Sequence, residues 1–295
     1  MNLRRFLAIL IVTLILILAI LVWFFPSQED FRTENPFWNG TKEISSSYPI
    51  SPLESLSNLP SSPQGSTLIL IPYLQFNRAE LEALDSFITR GGILILADDY
   101  GYGNQILEYL RLKARFSGQA LLDPLSNYKN ERFPQISHFK SSYVTSNIDN
   151  LIFNHATCLT DIEAADVLAL SSSFSFLDLN GNRKWQEGEP TGPLPVISHH
   201  NLGNGEIILV SDPSLFINSM ETMASNDKFI QNMAAITKSN LLIDQSHLPP
   251  SNLHQTKNLL AYIHGLFITP LGTLGLVILT LTITLMPLWH ERRRH

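Results

Sequence analysis

The chain has 295 residues, with 20 basic and 26 acidic side chains and a formal net charge of −6 at pH 7. Five of the arginines and one glutamate lie at the two ends, which leaves 15 basic and 25 acidic residues between them, a net charge of about −10. That acidity argues against a nucleic-acid partner, because phosphate neutralisation dominates such binding. The single cysteine excludes an intrachain disulfide, which a core of this size does not require.

The first hydrophobic segment, residues 6–25, contains no charged residue. A helix of this length crosses about 30 Å of hydrocarbon. A cleaved signal peptide has a shorter apolar core that ends at small residues, whereas this segment ends in Trp23-Phe24-Phe25-Pro26. We therefore predict a cytoplasmic N-terminus at residues 1–5, followed by an uncleaved transmembrane helix.

A second uncharged segment, residues 265–289, predicts another transmembrane helix with Pro270 in its first turn, followed by a basic tail at 290–295. Arginines flank both segments, at Arg4 and Arg5 and again from Arg292 to Arg294. Because basic residues accumulate on the cytoplasmic side, we predict a two-pass protein of the cell membrane with both termini in the cytoplasm and the central domain outside it.

The residues between these segments divide into three parts. Residues 26–65 are rich in Ser, Pro and Asn, which predicts a linker with one short element near 53–59. Residues 66–240 form the predicted extracytoplasmic α/β domain, and residues 241–264 a juxtamembrane segment.

The pattern within 66–240 alternates between apolar strands and amphipathic helices. A strand at 67–71 precedes a helix that Asn77 caps and that ends near Thr89. A strand at 93–97 and a helix at 106–112 follow. This order predicts an α/β fold with a mostly parallel sheet flanked by helices. Further strands are expected at 151–153, 167–171, 196–199 and 207–210, with a last helix from about Asp227.

Acidic residues follow two of these strands. Asp98, Asp99 and Asn104 lie in the turn after one, and Asp212 and Ser214 follow the other. Ligands of open α/β sheets bind beyond the carboxyl ends of the strands, so these residues are candidates for binding a cation or a polar ligand. The alternative is a pair of tight turns with aspartate caps. The sequence does not supply a nucleophile, a base and an oxyanion hole together.

A third candidate is the loop from Asp178 to Glu189. Its side-chain oxygens at positions 1, 3, 5 and 12, with a backbone carbonyl at position 7, have the spacing of an EF-hand-type calcium loop. Arg183 stands at position 6, where glycine is expected. The alternative is a polar hairpin turn, and any bound Ca²⁺ would be structural. The predicted ligands are Asp178, Asn180, Asn182, Lys184 and Glu189.

Two other features favour ordinary structural roles. Cys158 lacks the flanking glycines of a nucleophile elbow, which favours a buried structural thiol. His199 and His200 have no carboxylate at helical spacing, so we expect histidines that face solvent rather than a metal site.

Four segments together resemble the domain of unknown function 4350 family, membrane-anchored proteins of archaea and bacteria. They are 90–92, 98–104, 173–178 and 211–218, within a resemblance that covers roughly 37 to 240. The resemblance implies a sheet similar to class I glutamine amidotransferases (flavodoxin-like) without their catalytic Cys and His. It also implies an association with transport or envelope-assembly machinery.

These observations predict a non-catalytic envelope domain that binds a partner protein or a small polar ligand, accessory to a transport or envelope-assembly complex. The expected partners are the lipid bilayer and membrane or envelope proteins. The alternative is a metal-dependent hydrolase that uses Asp98, Asp99 and Asp212. Apart from Ca²⁺ in the loop, no cofactor is expected.

Overall fold

The computed structural model describes residues 3–292, with side chains except at Arg5 and 283–292. Of the basic flanks predicted above, Arg293 and Arg294 lie outside the described residues. The chain forms two compact units. One consists of Met1–Ser27 with Pro250–His295, and the other of Gln28–Pro249.

The helices are α1 (Leu3–Phe24), α2 (Lys42–Ser47), α3 (Arg78–Thr89), α4 (Asn104–Tyr109), α5 (Asn218–Glu221), α6 (Asn226–Ile236), α7 (Asn252–Ile268) and α8 (Pro270–Arg292). Two short 3-10 helices span Leu56–Asn58 and Pro213–Phe216. The strands are β1 (Ile50–Leu53), β2 (Thr67–Leu70), β3 (Ile93–Ala97), β4 (Arg115–Phe116), β5 (Ala120–Leu122), β6 (Gln135–Ile136), β7 (His138–Phe139), β8 (Leu151–Ile152), β9 (Leu159–Thr160), β10 (Val167–Leu170), β11 (Phe176–Asp178), β12 (Pro195–Leu202), β13 (Gly205–Val210) and β14 (Leu241–Asp244).

The main sheet of the larger unit has eight strands in the order β1-β14-β2-β3-β13-β12-β10-β7. The first five strands run parallel to their neighbours, and the last three add antiparallel pairs. Every residue of β2 and β3 is buried, as expected for central strands covered on both faces. The predicted α/β class with a mostly parallel sheet is confirmed.

Helices cover both faces of this sheet. On one face, which we call the α3 face, α3 buries Leu81, Leu84, Phe87 and Ile88 against residues such as Leu94. On the other, the α6 face, α6 buries Phe229, Ile230 and Met233. The α3 prediction is confirmed in detail, because Asn77 and Glu80 form a reciprocal capping box at its start.

The segment 26–65 differs from the predicted linker. It contributes α2, the 3-10 helix and the edge strand β1, which pairs in parallel with β14. Arg32 is buried, and its guanidinium donates hydrogen bonds to the carbonyls of Gln245 (2.8 Å) and Leu248 (3.3 Å). An edge strand tolerates proline, and β1 contains Pro52. The turn-forming composition of this segment therefore did not indicate a strand.

The predicted domain end at residue 240 also differs from the structure. β14 lies within the segment 241–264 and is inserted between β1 and β2. The compact unit continues to Pro249, and α7 begins only at Asn252. The sheet therefore depends on residues that the sequence assigned to a juxtamembrane segment.

In the smaller unit, residues 6–24 form a helix long and apolar enough to cross a membrane. The predicted single helix over 265–289 is wrong, because the chain breaks at Thr269 and the helices on either side meet at 84°. The residue before a proline avoids the helical conformation, and Thr269 is extended at ψ 151°. Gly265 thus belongs to α7, and Pro270 begins α8, where its missing N–H costs little.

Candidate functional site

The carboxyl ends of β2, β3 and β13 lie side by side at one edge of the sheet. β13 pairs with β3 so that Val210 faces Ala97, and β2 pairs with β3 so that Leu70 faces Leu96. Asp98 donates its backbone N–H to the carbonyl of Val210 at 3.1 Å. The turns after β3 and β13 therefore follow neighbouring strands of the sheet.

Alternation along the strands sends the neighbouring aspartates to different faces. Asp98 follows Leu94 and Leu96 on the α3 face, whereas Asp212 follows Ile208 and Val210 on the α6 face. Asp99 is the next residue after Asp98, and it acts electrostatically on Asp212. The predicted trio is thus divided between two faces of the sheet, with the charge of Asp99 acting on Asp212 and that of Asp98 acting on Asp99.

Asp98 shapes the turn that follows β3. Its carboxylate accepts backbone N–H groups from Tyr100 (2.8 Å), Gly101 (3.0 Å) and Gly103 (2.6 Å). Gly101 has φ +91°, which favours glycine, and a Cβ at Gly103 would lie 3.1 Å from Asp98 Oδ2, which leaves little room for a side chain. Burial raises the pKa of Asp98, while these N–H groups oppose the shift. The aspartate-cap alternative describes this residue.

Asp212 is fully buried at the start of the 3-10 helix Pro213–Phe216. Its carboxylate accepts the backbone N–H groups of Asn154 and Ser214. Burial raises its pKa to about 8, and the negative charge of Asp99 adds to the shift. Asp212 therefore holds the loop between β13 and α5 together with the segment at Asn154.

The other two predicted ligand residues are occupied by protein partners. The Asn104 side chain donates to the carbonyl of Phe116 (2.9 Å) and accepts its N–H (2.8 Å), which ties the start of α4 to β4. The Ser214 hydroxyl donates to the carbonyl of Asn154 at 3.2 Å. Both side chains thus have structural partners in this arrangement.

Asp99 differs from all of these residues. It is half-buried, and among the described residues its carboxylate accepts no hydrogen bond from another residue. Burial raises its pKa to about 7, with a further contribution from the charge of Asp98. A desolvated carboxylate without donors is costly, so this group is the part of the edge best suited to an external partner.

Three tyrosine rings lie together at this edge of the sheet, and we call Tyr73, Tyr100 and Tyr102 the tyrosine cluster. Their centroids lie 5.9 Å apart for Tyr73 and Tyr100, and 6.2 Å apart for each of the other two pairs. Tyr100 is 65% exposed and Tyr102 45%. Asp99 is the largest cause of the raised pKa of Tyr100, and it also acts on Tyr73. The sequence analysis missed this cluster, although two of its tyrosines lie in the turn that it singled out.

The Asp178–Glu189 loop is held by its own backbone. Asp178 accepts N–H groups from Gly181, Asn182 and Arg183, and Glu189 accepts those of Leu179 and Gln186. Asn180 accepts the N–H of Asn182, which in turn accepts that of Lys184.

The unexpected arginine at position 6 of this loop takes the backbone conformation of a glycine. Arg183 has φ +63°, in the left-handed region, and its guanidinium forms an ion pair with Glu131. Within the described residues, no three His, Cys, Asp or Glu side chains converge to hold a metal ion. The calcium assignment stays a prediction.

The paired histidines do not face solvent freely, which corrects the prediction. A hydrogen bond of 2.7 Å joins His199 Nε2 to Glu206, and His200 Nδ1 lies 3.3 Å from Asp166. Burial lowers the pKa of His200 in spite of Asp166.

Glu206 also lines a cavity of about 600 Å³ at the amino end of the strands. There its carboxylate already interacts with His199 and Tyr143.

A buried histidine at the end of β14 escaped the sequence analysis. His247 Nδ1 lies 2.9 Å from Asp244, its ring stacks on Phe76 at 4.0 Å, and Nε2 lies 3.6 Å from Glu80. Ser246 is on the same Nδ1 side as Asp244, so it cannot be activated by Nε2. Cys158 is buried, as predicted, and burial raises the pKa of its thiol to about 12.

The model of the family described as Domain of unknown function (DUF4350) matches residues 41–234, about two thirds of the chain. The chain belongs to this family. No curated protein sequence matches the DUF4350 chain significantly.

Solved structures similar to this DUF4350 chain include the mmIFT52 N-terminal domain, at 16% identity and a TM-score of 0.50, over 67% of this chain and 88% of that one. A β-galactosidase from Bacillus circulans sp. alkalophilus has 13% identity and a TM-score of 0.39, over 59% and 23% of the two chains. A putative ThuA-like protein from Bacteroides uniformis has 10% identity and a TM-score of 0.32, over 67% and 74%. The first likeness concerns the fold alone, and the other two support no inference.

Proposed function

We propose that residues 28–249 form a non-catalytic binding domain, anchored in the membrane, whose binding surface is the tyrosine cluster with Asp99. The observation that carries the proposal is the contrast at the carboxyl edge. Asp98 and Asp212 accept backbone N–H groups from other residues, whereas Asp99, whose charge acts on Tyr73 and Tyr100, accepts none from another of the described residues. The partner is an envelope or membrane protein, or a small polar ligand, that offers a positive group.

The arrangement of polar groups supports binding rather than catalysis. A metal-dependent hydrolase would need Asp98, Asp99 and Asp212 to converge, but alternation places Asp98 on the opposite face from Asp212. The buried His247 faces carboxylates on both ring nitrogens. Ser246 Oγ lies 3.1 Å from His247 Nδ1, but its hydroxyl donates to Asp244 at 2.6 Å, so this contact does not provide the activated nucleophile that acyl or phosphoryl transfer needs.

The chemistry of the surface supports recognition of a partner. Tyrosine is enriched in protein interfaces and among the residues that dominate binding energy. The residues between the terminal segments carry a net charge of about −10, which favours the approach of cationic partners. An association with transport or envelope assembly agrees with such a role.

The proposal includes the two-pass topology. The helix at residues 6–24 supplies one span, and α8, 23 residues long, supplies the other in place of the predicted 265–289. The basic flanks favour cytoplasmic termini with the domain outside. The proposal also retains a sheet related to class I glutamine amidotransferases without their chemistry, and a structural Ca²⁺ in the Asp178–Glu189 loop.

Site-specific photo-crosslinking of the full chain in its native membrane tests the binding surface. A photoreactive phenylalanine in place of Tyr100 should give a discrete adduct that is lost when Asp99→Asn is added. The matched control is the same probe at Phe174, which is 60% exposed. Equal adducts at both positions, or adducts that persist with Asp99→Asn, would contradict the proposal.

A further inference from the structure

The tyrosine cluster has the geometry of an aromatic cage. Its three centroids form a nearly equilateral triangle with sides of 5.9 to 6.2 Å, and the rings are tilted against one another by 39° to 61°. A cation seated over the open side of such a triangle lies within ~6 Å of all three ring centroids, the range of a favourable cation–π contact. Rings stacked face to face would not leave this seat.

The cage is held by the fold on one side and open on the other. Tyr73 lies just beyond β2, donates its N–H to the carbonyl of His247 at 3.0 Å and packs against the buried ring of Phe31 at 5.7 Å. Tyr100 and Tyr102 come from the turn that Asp98 closes. The backbone that carries the three tyrosines is therefore held in place before any ligand arrives, which limits the ordering that binding requires.

The charges around the cage are negative. Asp99 acts most strongly on Tyr100, and Asp30 acts on both Tyr73 and Tyr100. Within the described part of the chain, the lysine that lies over an aromatic ring is Lys129, over Tyr128 and not over the cage. The positive charge that the cage and Asp99 would stabilise is thus not supplied by the described residues.

We propose that this cage binds a quaternary ammonium group, with Asp99 as its counter-ion. The inference rests on the proposed binding surface and names the ligand class that this surface takes. A quaternary ammonium has no N–H to satisfy, which suits a site that offers aromatic rings and one carboxylate. A primary ammonium has three donors and would leave some without acceptors here. A divalent metal ion would lack a converging set of ligands in the described residues.

Ligand-observed NMR titration of the full chain in maltoside micelles tests this inference. Choline should bind in the millimolar range, and its neutral isostere 3,3-dimethyl-1-butanol should not, because only the charge differs. Tyr100→Ala should weaken choline binding by about 3- to 10-fold, whereas Tyr100→Phe should retain most of it, since the ring face supplies the contact.

Two further variants define the role of the acid and the specificity of the site. Asp99→Asn should weaken choline binding at least as much as Tyr100→Ala. Tyr128→Ala, which removes an exposed tyrosine far along the chain, is the matched control and should change nothing. Thermal unfolding of each variant checks that the domain remains folded, and Tyr100→Phe keeps the test valid if Tyr100→Ala does not fold.

Three ligand arms identify the source of the quaternary group: glycine betaine as a free solute, a trimethyl-lysine peptide, and phosphocholine as a lipid headgroup. Equal binding of choline and its neutral isostere, or no saturable binding of any arm, would overturn the inference. If the photo-crosslink at Tyr100 persists in that case, the binding surface stands and only its ligand class is wrong.

Discussion

The turn after β3 and the Asp178–Glu189 loop are both acidic, yet they use their carboxylates differently. In the loop, Asp178 and Glu189 both accept N–H groups from their own segment. In the turn, Asp98 does the same, but its neighbour Asp99 accepts none from another residue among those described. The number of donors that a carboxylate meets, rather than the number of carboxylates, distinguishes a structural acid from one available to a partner.

Substitution of the two adjacent aspartates should give the largest contrast. Asp98→Ala leaves three backbone N–H groups without their acceptor, which should cost about 2–4 kcal/mol of unfolding free energy and lower Tm by about 5–10 °C. Asp99→Ala removes a desolvated charge that accepts no hydrogen bond from another described residue, so it should leave Tm unchanged or raise it. Thermal unfolding of the detergent-solubilised chain, followed by tryptophan fluorescence, measures both. Equal losses would refute the assignment of different roles.

The pH dependence of stability should follow the same distinction. Asp99 and Asp212 have folded pKa values of about 7 and about 8, above the ordinary 3.8. Between pH 3.8 and about 7 for Asp99, and up to about 8 for Asp212, the folded chain therefore binds more protons than the unfolded chain. These two groups make the free energy of unfolding fall as pH rises through that window.

Asp99→Asn should consequently gain Tm relative to wild type between pH 5 and about 7, by several degrees, and the difference should then level off. The quantity to compare is the Tm of the variant minus that of the wild type. His155 and His200 have lowered pKa values, so they make stability rise with pH, and they do so equally in both proteins. A difference that does not change with pH would show that Asp99 is solvated and carries its ordinary pKa.

Calcium should act on the loop and not on the turn. At ~5 mM Ca²⁺, above the dissociation constants of about 10⁻⁴–10⁻³ M that extracellular calcium modules have, Tm should rise by about 2–5 °C. Asp178→Ala should abolish the rise, and Asp99→Asn should leave it intact. Calorimetric titration of the same proteins measures the binding heat. Heat that survives Asp178→Ala would place the ion elsewhere.

Part of this edge could be read from the sequence. Continuous apolar runs identified β2 and β3, and the Asn77 cap located α3, because these signals are local. Alternation alone also places Asp98 and Asp99 on opposite faces, which the sequence could have indicated.

The remainder depended on contacts between residues far apart in the chain. β1 and β14 pair across about 190 residues of sequence, and β1 contains a proline that resembles a linker signal. The tyrosine cluster combines the end of β2 with the turn after β3. No local motif could therefore indicate that Tyr73 lies beside Tyr100 and Tyr102. His199 and Glu206 are brought together by the β12–β13 pairing, which reverses the expectation of solvent-facing histidines.

The titration of the Asp99 carboxyl group tests the central claim most directly. In the full chain with ¹³C-labelled aspartate, the signal lost in Asp99→Asn should titrate near pH 7. It should shift to a lower pKa when tetramethylammonium is added, because a nearby cation favours the carboxylate. A signal that titrates near the ordinary value of 3.8, and that tetramethylammonium leaves unmoved, would contradict the account.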